Sequence, residues 1–100
     1  MTKKTHSKAK IKMYRSCPEL AYEDINRYLN DNDQAGALTA LRYLTQAQGG
    51  MQQLAKEAKL NATQIYRTLS EHGNPSLSNW RAILQAQGLQ MVIRKIPPAN

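Results

Sequence analysis

Five polar side chains between residues 52 and 67 are of the types that hydrogen-bond to DNA. They are Gln52, Gln53, Thr63, Gln64 and Arg67. Glutamine and arginine can each form two hydrogen bonds to one base edge in the major groove, and threonine can bond to bases or phosphates. This set is also poor in the Glu–Lys pairs that are common on ordinary solvated helices. These residue types therefore indicate a surface that contacts DNA.

Two short amphipathic helices joined by a tight turn are expected to position these side chains. Apolar residues at helical spacing predict one buried stripe on each helix. The stripes are Met51, Leu54, Ala55 and Ala58 in the first helix and Ala62, Ile65 and Leu69 in the second. Asn61 is the expected N-cap of the second helix. This is the pattern of a helix-turn-helix over residues 51–70, although an αα-hairpin in any small helical bundle has the same apolar spacing.

Most of the excess positive charge lies at the N-terminal end of the chain. The net charge is +7, and six of the fourteen basic residues fall within the first fifteen positions, which hold no acidic residue: Lys3, Lys4, Lys8, Lys10, Lys12 and Arg15. We therefore expect residues 1–15 to form a basic tail. Its lysines could follow DNA phosphates and add salt-dependent affinity, or the tail could be a disordered solubilising extension. Because it lacks glycine and proline and contains Ile11, Met13 and Tyr14, its end could also pack on the domain or on a partner.

The composition gives no indication of an enzyme, a metal site or a membrane protein. The lone Cys17 cannot form an internal disulfide, and His6 and His72 are too few to form a metal-ligand cluster with it. No paired carboxylates, nucleophile–base pair or phosphate-binding loop is evident. No apolar run is long enough to span a membrane. We expect a cytoplasmic protein without enzymatic activity, metal or cofactor.

An all-α domain of five helices is expected over residues 16–88. The capping-box spacing of Ser16-Cys17-Pro18-Glu19 predicts a helix that runs to about Asn30, and a second helix is expected from about Gln34 to Gly49-Gly50. The inner faces would be Ala21, Ile25, Tyr28 and Leu29 in the first helix and Leu38, Leu41 and Leu44 in the second. The helix-turn-helix follows directly.

The last helix of the domain is expected after a segment rich in turn-forming residues. Ser76 or Ser78 would cap its start, and Gly88 would end it. Its apolar face would consist of Leu77, Trp80, Ile83 and Leu84. This series places Trp80 in the core rather than on the surface as a stacking platform for a base.

Residues 89–96 are apolar and β-branched enough to form a short C-terminal β-strand, followed by a tail at residues 97–100. No second strand is evident, so we expect pairing with the same strand of a second copy or with a partner protein. Met91, Val92 and Ile93 are the candidate dimerisation residues. A homodimer would also place two recognition helices about one DNA turn, or roughly 34 Å, apart. The alternative is an extended tail that lies on the helices.

Four motifs follow one another in the order and spacing of a known family within residues 20–93. They are Leu54-Ala55-Lys56-Glu57-Ala58, Ile65-Tyr66-Arg67-Thr68-Leu69-Ser70, Gly73-Asn74-Pro75 and the helix end Gly88-Leu89. In these motifs the chain resembles the probable addiction module antidote proteins, HigA-like antitoxins with a DNA-binding domain of the lambda-repressor or XRE type. The resemblance implies a five-helix lambda-repressor-like fold. It also implies an antitoxin that binds double-stranded operator DNA, represses its own operon and neutralises a cognate toxin protein, an mRNA-cleaving ribonuclease of the RelE superfamily.

Carried over by position, the resemblance makes residues 62–69 the recognition helix, with Thr63, Gln64 and Arg67 as readers of bases or backbone. Gln52 would contact a phosphate. The loop and cap residues Asn74 and Ser76 could add phosphate contacts near the start of the following helix.

Two positions depart from the motif that such proteins commonly carry. Lys59 stands at the turn position often held by glycine, so it must adopt a left-handed backbone or the turn must differ. Met51 stands where a glutamine often opens the first helix of the motif. Gln52 or Gln53 would then have to make that DNA contact.

Two other functions remain compatible with the sequence. A stand-alone XRE-type or phage-like transcriptional repressor would have the same helix-turn-helix but no toxin partner, and a protein-binding helical module would have the same apolar spacing without binding DNA. The neighbouring gene separates the first from an antitoxin, because a small, basic, ribonuclease-like reading frame beside this one supports the antitoxin.

Overall fold

The computed structural model describes the backbone of residues 3–70 and 72–98, and within these ranges the side chains from residue 6 onwards. Six helices form in this part of the chain: α1 Lys3–Ser16, α2 Pro18–Asn30, α3 Gln34–Ala47, α4 Met51–Ala58, α5 Ala62–Thr68 and α6 Leu77–Ala86. The prediction of an all-α fold is confirmed. The prediction of five helices and a C-terminal strand is wrong at both ends, because residues 3–16 are helical and residues 89–96 form no strand.

Helix α1 occupies most of the segment that was expected to be a basic tail. No glycine or proline interrupts it, and it packs against α2 and α3. Tyr14 in its last turn is 1% exposed and belongs to the core, and Ile11 packs against the same core. Burying a large side chain of this kind contributes about 1.5–3 kcal/mol. The end of the segment therefore packs on the domain, which was one of the alternatives that the sequence left open.

Cys17 joins α1 to α2. Pro18 follows in the first turn of α2, where a helix does not need the backbone N–H that proline lacks. Ser16 is the last residue of α1, so its backbone is helical rather than extended as a capping residue requires. The N-cap position falls on Cys17, which makes no side-chain capping bond. The predicted capping box of Ser16 and Glu19 therefore does not form.

A polar cluster around the Asp24 carboxylate joins α1 to α2. Oδ2 of Asp24 accepts a hydrogen bond from the Tyr14 hydroxyl at 2.5 Å and lies 3.4 Å from Nζ of Lys10, and Oδ1 lies 2.9 Å from the Arg27 guanidinium. Burial raises the pKa of Asp24. The Tyr14 hydrogen bond and the charges of Lys10 and Arg27 together lower it by more, so the pKa lies below its ordinary value. Burial and the same hydrogen bond raise the pKa of Tyr14. The cluster fixes α1 against α2.

Helix α3 lies at the centre of the core and contacts α1, α2 and α4. Its buried residues are Ala37, Leu38, Ala40, Leu41, Tyr43, Leu44 and Thr45. Asp33 caps its start by accepting a hydrogen bond from the backbone N–H of Gly36 at 2.9 Å. On the neighbouring α2, Ala21 and Ile25 are buried as predicted. Leu29 is 47% exposed, contrary to prediction, because it lies in the last turn before α2 ends at Asn30.

Helix α4 packs against both α5 and α6 and touches α3. The buried residues of these three helices are Met51, Leu54, Ala55, Ile65, Thr68 and Ile83. Leu69, just beyond the end of α5, is buried as well. Trp80 packs partly buried against the core, as predicted. Leu77 is 64% exposed, contrary to prediction, because it is the first residue of α6. Gly88 ends the helix with φ +76°, and the Leu89 N–H bonds to the Leu84 carbonyl at 2.8 Å, as in the common glycine C-terminal motif.

The chain continues beyond Leu89 to residue 98 without regular secondary structure. Met91 and Val92 are half exposed or more, and Ile93 is fully exposed. The predicted strand is absent from the described residues because a strand requires a hydrogen-bonded neighbour, and a single copy of this chain provides none beside it.

Candidate nucleic-acid interface

The turn between α4 and α5 is closed without glycine. Lys59 has φ 60° and ψ 38°, the left-handed conformation that the sequence left as one of two alternatives. Its N–H bonds to the Ala55 carbonyl, and the Leu60 N–H bonds to the same oxygen at 3.0 Å. A left-handed non-glycine residue costs about 1–2 kcal/mol. These hydrogen bonds and the burial of Ala55 hold the turn in place.

Helix α5 begins at the predicted cap and exposes the predicted residues. Oδ1 of Asn61 accepts a hydrogen bond from the backbone N–H of Gln64 at 2.7 Å, which satisfies one of the free donors of the first turn. Ile65 and Thr68 are buried within α5. The three polar side chains on its other side, Thr63, Gln64 and Arg67, are all exposed. The fold therefore brings these three candidates together on one outward face.

Gln52 and Gln53 are both exposed in the first turn of α4, but they differ in their contacts. Nε2 of Gln53 donates to Oε1 of Glu57 at 2.6 Å, one helical turn away. Gln52 is therefore the better placed of the two to contact an outside group. Met51 is 3% exposed, so its position in the core accounts for the apolar residue at the start of this helix.

The loop between α5 and α6 depends on Gly73. A Cβ atom on this residue would lie 2.1 Å from the carbonyl oxygen of Thr68, so a side chain does not fit there. The Gly73 N–H bonds to the Ser70 carbonyl at 2.9 Å, and its own carbonyl accepts from Nε2 of Gln34 in α3 at 3.3 Å. Glycine in the Gly-Asn-Pro motif therefore lets the loop backbone lie close to the end of α5. Asn74, the next residue, is exposed.

Ser76 is the residue that caps α6. Its Oγ accepts from the backbone N–H of Asn79 at 3.1 Å, so Ser76 rather than Ser78 fills the predicted role. The same oxygen was a candidate for a phosphate contact. Because it is already used as a capping acceptor, only its hydroxyl proton remains to donate to a phosphate.

Tyr66 is a residue of this surface that the sequence pattern did not single out. It is 53% exposed and precedes Arg67 in α5. The inward spacing of Ala62, Ile65 and Leu69 leaves position 66 off the buried stripe, which was the signal available from sequence. The dimerisation candidates Met91, Val92 and Ile93 lie in the irregular segment after α6.

A comparison with protein families covers most of the chain. The model of a family described as "Probable addiction module antidote protein" matches residues 5–95. The chain belongs to this family. Membership gives the antidote an antitoxin role in an addiction module and implies a toxin as its partner. No curated protein and no solved structure matches the chain significantly.

None of the antidote's helices within residues 3–70 and 72–98 is both long and apolar enough to cross a membrane. Within residues 51–70 the basic side chains are Lys56, Lys59 and Arg67 against the single acidic Glu57. The candidate surface is thus weakly positive, and any specificity it has must come from hydrogen bonding more than from charge.

Proposed function

We propose that the antidote binds double-stranded operator DNA through α4 and α5 and thereby represses the operon that encodes it. The observation that supports this proposal best is the two-sided character of α5, whose apolar side is buried while Thr63, Gln64 and Arg67 project outward. An α-helix fits the DNA major groove, and these side chains have the donors and acceptors that base edges recognise.

On this proposal the residues divide into readers and positioning contacts. Thr63, Gln64 and Arg67 would bond to base edges or to the adjacent backbone, and Gln52 and Asn74 would bond to phosphates beside the groove. Ser76 would donate its hydroxyl proton to a phosphate while it caps α6. Gln53, whose side chain donates to Glu57, would contact DNA less directly than Gln52.

A homodimer is part of the same proposal. Two recognition helices roughly 34 Å apart would read both halves of a palindromic operator. The irregular segment around Met91, Val92 and Ile93 is exposed and apolar. Antiparallel pairing of this segment across a two-fold axis would satisfy the backbone groups of both copies with the same residues.

The toxin partner proposed from the HigA-like and XRE-type resemblance is an mRNA-cleaving ribonuclease of the RelE superfamily. Coexpression of the antidote with the product of the neighbouring gene tests this part. Co-purification in a stable complex, together with relief of the neighbour's growth inhibition, supports it. A neighbouring product that neither binds nor inhibits growth would favour the stand-alone repressor.

Arg67→Ala tests the DNA-binding surface. The probe is a labelled duplex from the region upstream of the antidote gene, and binding is followed by fluorescence anisotropy. We expect Arg67→Ala to weaken specific binding by about 1–3 kcal/mol. Arg81→Ala, which removes an exposed arginine from α6, is the matched control and should bind like the parent. Equal affinity of the parent and Arg67→Ala, with both folded, would contradict the role of α5.

A further inference from the structure

The outer side of α1 carries a row of basic residues that the proposed helix-turn-helix does not use. Lys8, Lys12 and Arg15 are exposed. They follow one another at i, i+4 and i+7 and therefore share one face of the helix. With a rise of 1.5 Å per residue the row is about 10 Å long, which equals about three base-pair steps along one DNA strand.

The row is fixed to the domain because the other side of α1 is anchored along its length. The hydroxyl of Ser7 lies 3.1 Å from that of Tyr43 in α3. The cluster of Tyr14 and Lys10 on Asp24 joins the middle and end of α1 to α2. The basic row is therefore preorganised on a rigid helix and does not lie on a loose tail.

No ion pair neutralises the positive charge of the row within the described part of the chain. In residues 6–70 and 72–98, the ion pairs are those of Lys10 and Arg27, both with Asp24. Lys8 and Lys12 lie outside that cluster, and no acidic residue occurs in the first eighteen positions. Their charge is therefore available to an external anionic group.

One end of the row contacts the end of α3, the helix that precedes the proposed DNA-binding helices in the chain. Nε of Arg15 is 3.5 Å from the carbonyl oxygen of Ala47, the last residue of α3. Four residues later α4 begins at Met51, and its first turn carries Gln52 and Gln53. The Arg15 end of the row is thus attached to the end of α3 that leads into α4.

We propose that Lys8, Lys12 and Arg15 form a second DNA contact that binds the phosphate backbone flanking the site read by α5. This inference rests on the proposed function. The contact would add affinity and fix the orientation of the protein on the duplex, and it would carry no sequence information, because lysine and arginine bind phosphates of any sequence.

The test compares Lys8→Gln/Lys12→Gln with the control Arg81→Gln, which removes an exposed positive charge from α6. Substitution is preferable to deletion of residues 1–12, because deletion would also remove the Ser7 and Lys10 contacts. Affinity for the upstream duplex is measured from 50 to 300 mM salt. Each phosphate contact makes the slope of log affinity against log salt more negative by about 0.9. The slope of the α1 variant should therefore be less steep than that of the parent by about 2 for each chain bound. The control should keep the parent's slope.

A second measurement locates the contact. Shortening the duplex at its flanks, with the core site intact, should weaken binding of the parent but not of Lys8→Gln/Lys12→Gln. Unchanged sequence preference in the variant is also expected, measured as the affinity ratio between the upstream duplex and a scrambled one.

Different outcomes overturn different parts of the inference. Binding by the parent with equal salt slopes for the parent and both variants would overturn the α1 contact and leave the proposed function standing. An α1 variant that binds DNA normally but no longer co-purifies with the neighbouring gene product would assign the row to the toxin instead, which also overturns it. No binding of any duplex by the folded parent would overturn the proposed function and this inference with it.

Discussion

Helices α1–α3 and helices α4–α6 hold their polar side chains in different ways. In the first group side-chain bonds cross from helix to helix, as in Ser7 to Tyr43 and Tyr14 to Asp24. Within the second group the side-chain bonds join residues three or four positions apart, as in Asn61 to Gln64, Ser76 to Asn79 and Gln53 to Glu57. Longer bonds, from Gln87 to Thr45 and from Gln34 to Gly73, connect this group to α3. The first group uses its polar groups to build a scaffold. The second uses local caps and leaves Thr63, Gln64 and Arg67 facing outward.

Among these tests, removal of the Tyr14 side chain should cause the largest loss of stability. Tyr14 is buried in the core and also bonds to Asp24 in another helix. Tyr14→Ala opens a cavity at a residue that is 1% exposed, and we expect a loss of about 3–5 kcal/mol in the free energy of unfolding. Urea denaturation followed by circular dichroism measures it. Tyr14→Phe, which keeps the ring and loses only the bond to the charged Asp24, should lose about 1.5–3 kcal/mol. Similar losses for both variants would show that the ring contributes little.

Asp24→Asn tests the charges of the same cluster. At pH 6 we expect a loss of about 1.5–3 kcal/mol, the usual range for a hydrogen bond to a charged group. The pKa of Asp24 is lower in the folded protein than its ordinary value near 3.9, so its stabilisation is present above about pH 4 and is lost as the pH falls through the folded pKa. The difference between parent and variant should therefore shrink between pH 5 and pH 2. Asp31→Asn, at an exposed carboxylate, is the control, and a difference that does not depend on pH would contradict the cluster.

Gly73→Ala is the corresponding test of the second group, where backbone geometry rather than cross-helix bonding should dominate. The added Cβ would meet the Thr68 carbonyl at 2.1 Å, and the loop would have to move at a cost of about 1–3 kcal/mol. Asn74→Ala, at the exposed neighbour, should cost far less. Thermal unfolding measures both. Equal midpoints for the two variants would mean that the loop relaxes without strain.

The same contrast explains which features could be predicted from sequence. The bounds of α4 and α5 and the Asn61 cap depend on residues within one or two helical turns, and local patterns predicted them. For Lys59 the local pattern left two alternatives, of which the left-handed backbone is the one found. The docking of α1 depends on pairs that lie far apart in the chain, such as Ser7 with Tyr43, and no local pattern records them. The prediction of a strand at residues 89–96 was wrong for a related reason. The apolar pattern is local, but a strand requires a hydrogen-bonded neighbour, and one chain does not supply it. The exposure of Gln52, Thr63, Gln64 and Arg67 followed from helical spacing. The hydrogen bond from Gln53 to Glu57 joins i, i+4 neighbours, a pair that helical spacing permits but does not by itself require.

Lys59→Gly should produce the smallest change, and a favourable one. The left-handed backbone of Lys59 costs about 1–2 kcal/mol for a residue with a side chain, and glycine removes that cost. Glycine also makes the unfolded chain more flexible, which offsets about 0.5–1 kcal/mol. We therefore expect a net gain of about 0.5–1 kcal/mol in the free energy of unfolding. Lys56→Gly is a matched control, because it removes the same charge from the interior of α4 and should cost about 1 kcal/mol. Since both variants lose one positive charge, their opposite signs would show that backbone conformation, and not charge, sets the stability of this turn. A loss for Lys59→Gly equal to that of the control would mean that the lysine side chain itself stabilises the turn between α4 and α5.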